Sequence, residues 1–381
     1  MTRPIPPRRV LIVSLRFLGD ALLSTPLAAA VKRDWPGCTV DMLVFKGCDG
    51  MLEGNPDIDR VLTVPQRPGK GEQLQQLRSL WNRYDLTFIT QTGTRPFLYG
   101  WAAGRMSVAP VSAERGKSWW KQALLSRHLR WNLDAPRFLE NEQLLSLVGL
   151  RNAPPPCPPS AGLDRAGLAR LTGAKLEQPY AVVHPSPRWQ YKRWTNQGWR
   201  ELIQALLDRG LGVVLTGGPG EAEREYLESV RGELRHEALW PVPGRLSLAQ
   251  SADLIRHATL FVGVDTATTH IAAATGTPTV ALFGPTDPTV WGPWPATSGA
   301  AYARVAPFQV RGNVRVVQNP HHACQPCQKE GCDRHVKSHS ACLDDLPPQT
   351  VIDSINQMLT ARSTVMEPRD VAEPHQFDHP A

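Results

Sequence analysis

The chain has 381 residues, 41% hydrophobic and 20% charged, with 35 prolines, 12 tryptophans and a formal net charge of +7. That length exceeds one ordinary core and predicts two domains, and the composition excludes a chain disordered throughout. The basic balance favours anionic partners such as nucleotides, phosphorylated glycans or an acidic membrane face, whereas dispersed charge without a stacking module argues against nucleic acid. The apolar run in "RVLIVSLR" stops at Arg16, too soon for a signal peptide, and no uninterrupted apolar stretch is long enough to span a bilayer. Seven cysteines, an odd number, fit a reducing compartment better than a disulfide framework, so a cytoplasmic protein is expected.

In chain order, "RVLIVSL" predicts a first strand and the stretch from about Asp20 to Arg33 a helix. "TVDMLVF", "RVLTVP" and "DLTFIT" follow as strands, with a helix near Gln73 to Trp81. This alternation predicts a parallel sheet wrapped by helices. "RNAPPPCPPSAG", Arg151 to Gly162, continues neither helix nor central strand and marks a linker. The pattern restarts with "YAVVHPS", a helix over Asn196 to Arg209, "GVVLTGG", a helix after Pro219, "TLFVGVD", a short helix through His270 and "TVALFG". The expected fold is therefore α/β, with two doubly wound domains facing a cleft: residues 1–160, residues 161–362, and a polar tail 363–381 expected to be disordered.

The loops must decide the chemistry. No G-x-G-x-x-G follows the first strand and no G-x-x-x-x-G-K-[ST] occurs, which argues against hydride transfer and P-loop phosphoryl transfer. "TGGPGEAE", Thr216 to Glu223, has two readings: a tight strand-to-helix connection, which the glycines favour, or a turn that points amides at an anion. Asp20, in "SLRFLGDALL", sits where a strand feeds a helix and reads either as a helix cap or as a base. In "FVGVDTATTHIAAATGTP" a buried strand ends at Asp265, and Thr266, Ala267 and Thr268 offer small side chains at a helix N-terminus suited to a diphosphate, with His270 one turn on. Asp57 to Asp59, "DID", has the form of a metal-binding pair, but "NPDID" reads as a turn before a strand. Cys324, Cys327, Cys332 and Cys342 have two readings: small hydrophobes packing an irregular loop, or four ligands of a structural zinc.

The strings "R-F-L-G-D-A-L-L-S-T-P" and "D-T-A-x-x-H-I-A-A-A-x-G-T-P-x-V-x-L-F-G-P-T-D-P" resemble the glycosyltransferase family 9 heptosyltransferases of lipopolysaccharide core synthesis. The similarity runs from about Arg9 to about Ile355 and includes "NPDIDRVL", "HPSPRWQYKRWTNQGWREL" and "CQPCQKEGCDRHVKSHSACL"; the cysteine pattern and "VWGPW" are most similar to the heptosyltransferase III type. The resemblance implies a GT-B fold of two Rossmann-like domains, with acceptor on the first and nucleotide sugar on the second. It implies Asp20 as general base, Lys192 as phosphate-binding lysine, and Asp265, Thr266, Ala267 and His270 as donor-binding residues; Arg188 and Arg193 flank Lys192 and could take its place. The donor implied is ADP-heptose and the acceptor the lipopolysaccharide inner core, met at the acidic cytoplasmic face of the inner membrane. No cofactor and no catalytic metal are expected. The acceptor contacts and the adenosine contacts around "LWPVPGRLSL" are left unassigned. Two alternatives stand beside this reading: transfer of another nucleotide sugar to a cell-surface glycan, and nucleotide-sugar epimerisation.

Overall fold

The computed structural model describes residues 6–114, 116, 118–297 and 299–366. The first half carries strands β1 (Arg9–Ser14), β2 (Thr39–Phe45), β3 (Arg60–Val64), β4 (Tyr84–Ile89), β5 (Gly104–Val111) and β6 (Arg127–Arg130). All pair in parallel in the order β3-β2-β1-β4-β5-β6. Helices α1 (Leu18–Asp34), α2 (Lys70–Leu80), α3 (Thr94–Ala103), α4 (Trp119–Leu124) and α5 (Arg137–Ser146) supply the crossovers and cover. Parallel strands buried on both faces need continuous apolar runs, and β1 meets that need: Val10, Leu11, Ile12 and Val13 are wholly buried.

The second half opens with α6 (Arg165–Thr172) and continues through β7 (Tyr180–His184), α7 (Asn196–Asp208), β8 (Gly212–Leu215), α8 (Glu221–Arg231) and β9 (Leu239–Pro241). It goes on with α9 (Leu248–Arg256), β10 (Leu260–Val264), α10 (Ala267–Thr275), β11 (Thr279–Leu282), α11 (Pro288–Trp291), β12 (Phe308–Arg311) and β13 (Val314–Val317). Its sheet runs β12-β13-β11-β10-β7-β8-β9, parallel except for the edge strand β12. The chain closes with α12 (Ala341–Asp344) and α13 (Pro348–Met366). The expected disordered tail needs a correction at its start: residues 363–366 are the last turn of α13, because no glycine or proline interrupts the chain between Pro348 and Pro368. Residues 367–381 of that tail lie outside the described residues.

Residues 150–164 carry neither helix nor strand and cross from one sheet to the other. Two side chains hold this crossing. Pro26 lies inside α1 and cannot donate to the Leu22 carbonyl; the Thr25 hydroxyl donates to that oxygen instead at 2.8 Å, and accepts the Cys157 N–H of the crossing at 2.9 Å. The buried Asp253 carboxylate accepts from the Ser160 hydroxyl (2.7 Å) and from the Ala161 and Leu163 N–H groups (2.9 and 3.0 Å), with Arg256 paired at 2.6 Å. A buried charge is tolerated there because its lone pairs are filled. One apolar cluster, including Leu22, Leu27 and Val31 of α1, Leu254 and Ile255 of α9, and Ile271 of α10, runs between the two sheets.

Candidate active site

The cleft lies at the carboxyl ends of β1 on one side and of β7, β8 and β10 on the other, where loops of open parallel sheets bind ligands. It encloses about 970 Å³, and its lining brings Asp20, Lys192, Asp265, Thr266, Ala267 and His270 together. Every catalytic and donor residue expected from the sequence thus faces one cavity.

Asp20 does not sit at the N-cap. That position is Phe17, and Asp20 stands in the first turn of α1, where its carboxylate reaches back to accept the Phe17 N–H at 3.3 Å. The helix starts two residues before the expected Asp20 because Leu18 and Gly19 already carry helical geometry. The side chain is 12% exposed, with Arg16 Nη1 at 3.6 Å from Oδ1. Burial raises its pKa; the Arg16 charge, the Phe17 N–H and the Arg137 charge work against that rise without cancelling it. A mostly buried carboxylate with a raised pKa, at the wall of a cleft, has the properties of a general base.

Across the cleft, Thr266 caps α10 with its hydroxyl accepting from the Thr269 N–H at 3.4 Å. Ala267 opens the helix, and Gly276 ends it with φ of +80°, a conformation that favours glycine. His270 is buried with Nδ1 unpartnered, and Ser186 Oγ is likewise buried and unpartnered. Both line the cleft, so each is available to a ligand. Burial lowers the His270 pKa, so the imidazole is neutral near pH 7. The two helix starts are neighbours: a Cβ on Gly19 would lie 3.8 Å from His270 Cδ2.

Lys192 Nζ is 2.5 Å from Asp265 Oδ2, with side-chain exposures of 19% and 8%. Burial alone would depress the lysine; the Asp265 carboxylate outweighs it and holds the ammonium above its ordinary pKa. The lysine is therefore charged and fixed at the mouth of α10. Of its two neighbours, Arg193 turns away to stack on Tyr226 at 3.9 Å, whereas Arg188 lines the cleft and stacks on Phe17 of the facing domain at 5.0 Å.

The remaining sequence readings divide. Gly217 and Gly218 of the "TGGPG" turn line the cleft, so the connection is also part of the wall. Asp59 bonds Lys32 and the Val40 N–H, both at 2.7 Å, which makes "DID" the turn that the sequence suggested. Among the described residues no cluster of three or more His, Cys, Asp or Glu side chains is arranged to hold a metal ion. Cys324 and Cys332 are exposed and Cys342 is buried under Gly284, its thiol pushed up to about 12 by burial and by the other three.

Sequence reasoning missed Arg16, Trp291 and the Arg137–Glu140 pair. Arg137 and Glu140 are buried and bonded to each other, and burial raises Glu140 to about 7. Arg16 stands at the same strand-to-helix junction as Asp20 and follows from the same argument about strand ends. Arg137, far along the chain at the start of α5, gave no signal.

A family model, glycosyltransferase family 9 (heptosyltransferase), matches residues 115–335. Lipopolysaccharide heptosyltransferase 1 of Pseudomonas aeruginosa is 30% identical over 384 residues, covering 94% of this chain and 99% of its own. Lipopolysaccharide heptosyltransferase 3 of Escherichia coli K12 is 29% identical over 290 residues, 74% of this chain and 83% of its own. The solved structure of E. coli ADP-heptose lps heptosyltransferase II superposes with a TM-score of 0.71 at 21% identity, over 93% of this chain and 99% of that one, and establishes the shared GT-B fold. The chain belongs to glycosyltransferase family 9, the heptosyltransferases, and is a glycosyltransferase.

Proposed function

We propose that this enzyme transfers L-glycero-D-manno-heptose from ADP-heptose to a heptose of the lipopolysaccharide inner core, with inversion at the anomeric carbon. The observation that carries this reading is the meeting, in one cleft, of a buried carboxylate from the first domain with a fixed ammonium and a helix N-terminus from the second. Residues 1–160 hold the acceptor and residues 161–362 the donor. Asp20 takes the proton of the acceptor hydroxyl, the oxygen attacks the anomeric carbon, and the bond from that carbon to the diphosphate breaks, its electron pair leaving with ADP. Lys192 and the N–H groups at the start of α10 meet the charge that grows on the diphosphate. Asp265 keeps the lysine charged and aimed. The neutral His270 and Ser186 are free to orient the sugar. No step passes through a divalent ion.

Two relatives named as lipopolysaccharide heptosyltransferases favour this substrate class over another nucleotide sugar, and family membership favours transfer over epimerisation. The test is incubation with ADP-heptose and core acceptors of increasing heptose content, read by mass spectrometry. A mass gain of one heptose on a heptosylated acceptor, competed by ADP and not by UDP, is expected. Competition by UDP, or conversion of the donor without acceptor, overturns the reading.

The acceptor is lipid-linked, and we propose that the enzyme meets it as a peripheral protein on the cytoplasmic face of the inner membrane. Among the described residues no helix is long and apolar enough to cross a membrane. With a net charge of +7, attraction to acidic lipid is electrostatic. Binding to vesicles containing anionic lipid at low ionic strength, lost at about 0.5 M salt, is the expected result. Retention through a high-salt wash is the contrary one.

A further inference from the structure

The second domain sends the end of α11 and the residues after it, together "VWGPW", across the cleft onto the first. Trp294 stacks on Phe138 of α5 with ring centroids 4.1 Å apart and planes 11° apart. Trp291, at the wall of the cleft, faces two guanidinium groups of the other domain: Arg16 lies 5.2 Å and Arg137 5.5 Å from its ring centroid. The segment is rigid. Asp287 caps α11 by accepting the Thr289 N–H at 2.9 Å, Val290 is buried, and the Tyr302 hydroxyl donates to the Pro293 carbonyl at 2.8 Å. Arg137 is equally fixed, bonded to Glu140 and to the Asn132 and Leu133 carbonyls and stacked on Trp131 at 4.4 Å. Arg16 is not. Its side chain is 40% exposed, and its contacts are the Asp20 carboxylate, the Phe17 ring at 6.0 Å and Trp291.

We propose that Trp291 is a positioning residue: its indole, carried by the donor domain, holds the Arg16 guanidinium against Asp20, with Arg137 behind it, while the two domains are apposed. A cation over an indole face is a directional contact, and among the described residues the Arg16 side chain makes its other contacts only with Asp20 and Phe17 of its own segment. The inference rests on Asp20 being the base proposed above. The titratable and charged groups that the surrounding elements place near Asp20 include Arg16 in the loop before α1, Arg137 and Glu140 on α5, Cys48 after β2, Arg188 after β7 and His270 on α10. Of these, Arg16 and Arg137 are the cations that oppose the effect of burial on Asp20. The "VWGPW" segment thus links domain apposition to the readiness of the base.

The experiment is the pH dependence of kcat/KM for Trp291→Leu and Trp291→Phe beside the parent enzyme and Asp20→Asn, with ADP titration as a check on the donor domain. Losing the aligned cation moves the acid limb of Trp291→Leu upward by about one pH unit, so activity falls about tenfold on that limb and recovers at high pH. The ring of Trp291→Phe returns the limb most of the way. A residue with only a packing role would lower the rate equally at every pH, and an unshifted limb in Trp291→Leu overturns the inference. An Asp20→Asn enzyme that keeps both its rate and its acid limb overturns the reading of Asp20 as base, and the inference with it. A dead Asp20→Asn beside an unshifted Trp291→Leu overturns the inference alone.

Discussion

Asparagine at position 20 is expected to remove most turnover while leaving the fold and donor binding in place. The amide oxygen can still accept the Phe17 N–H that Asp20 accepts at 3.3 Å, so the start of α1 survives and the melting temperature changes little. What the amide cannot do is take a proton. General base catalysis supplies on the order of a hundredfold to ten-thousandfold, and kcat should drop by about that much. ADP affinity should stay within about threefold, since Lys192 and the start of α10 are untouched. The pH profile carries a second signature. Burial raises the Asp20 pKa, the base works only when deprotonated, and kcat/KM of the parent enzyme should fall on acidification at a pH above the ordinary carboxylate range of about 4. That limb should vanish from the residual activity of the asparagine variant. Turnover within about threefold of the parent would falsify the assignment and leave Asp20 as a group that closes a helix turn.

The two halves of the fold were legible because parallel strands buried on both faces write themselves as apolar runs, and "RVLIV", "TVDMLVF", "YAVVH" and "TLFVGV" do so. Strands β5 and β6 were not legible. β5 follows α3 without a turn residue other than Gly104 and contains Pro110, and β6, "RHLR", has a single apolar residue. Each is a strand only because a neighbour in the sheet supplies its partners, information that no local window holds. β12 and β13 form a short antiparallel hairpin, outside the strand–helix alternation that organised the reading.

The site divides in the same way. Asp20, Lys192 and the residues of the α10 start lie at junctions that follow strands, where position along the chain implies position in the cleft. Arg16 shares that logic. Arg137 does not, since it reaches Asp20 through the packing of α5 on α1, and only the three-dimensional arrangement reveals it. The ion pair of Lys192 with Asp265 is also invisible in the sequence: the two lie 73 positions apart, one cationic and one acidic, and no local pattern pairs them with each other.

That pair sets the second large expectation. Alanine at Lys192 should weaken ADP binding by about tenfold to a hundredfold, the loss expected of a charge-assisted hydrogen bond to phosphate. It should also slow kcat, because charge builds on the diphosphate as the glycosidic bond breaks. Part of the effect has another origin. Asp265 is buried, and without its cation it presents an unpaired carboxylate to an anionic ligand and to the protein, so the single variant should also melt lower. The double variant Lys192→Met with Asp265→Asn separates the two contributions, since it removes the unpaired charge together with the lysine. Stability should return toward that of the parent, while ADP affinity and kcat stay low, because nothing restores the ammonium. Isothermal titration of ADP, thermal melting and steady-state turnover on both variants give the three quantities. If the double variant binds ADP as the parent does, the lysine serves to neutralise Asp265, and the diphosphate must be held by the start of α10 and by Arg188 instead.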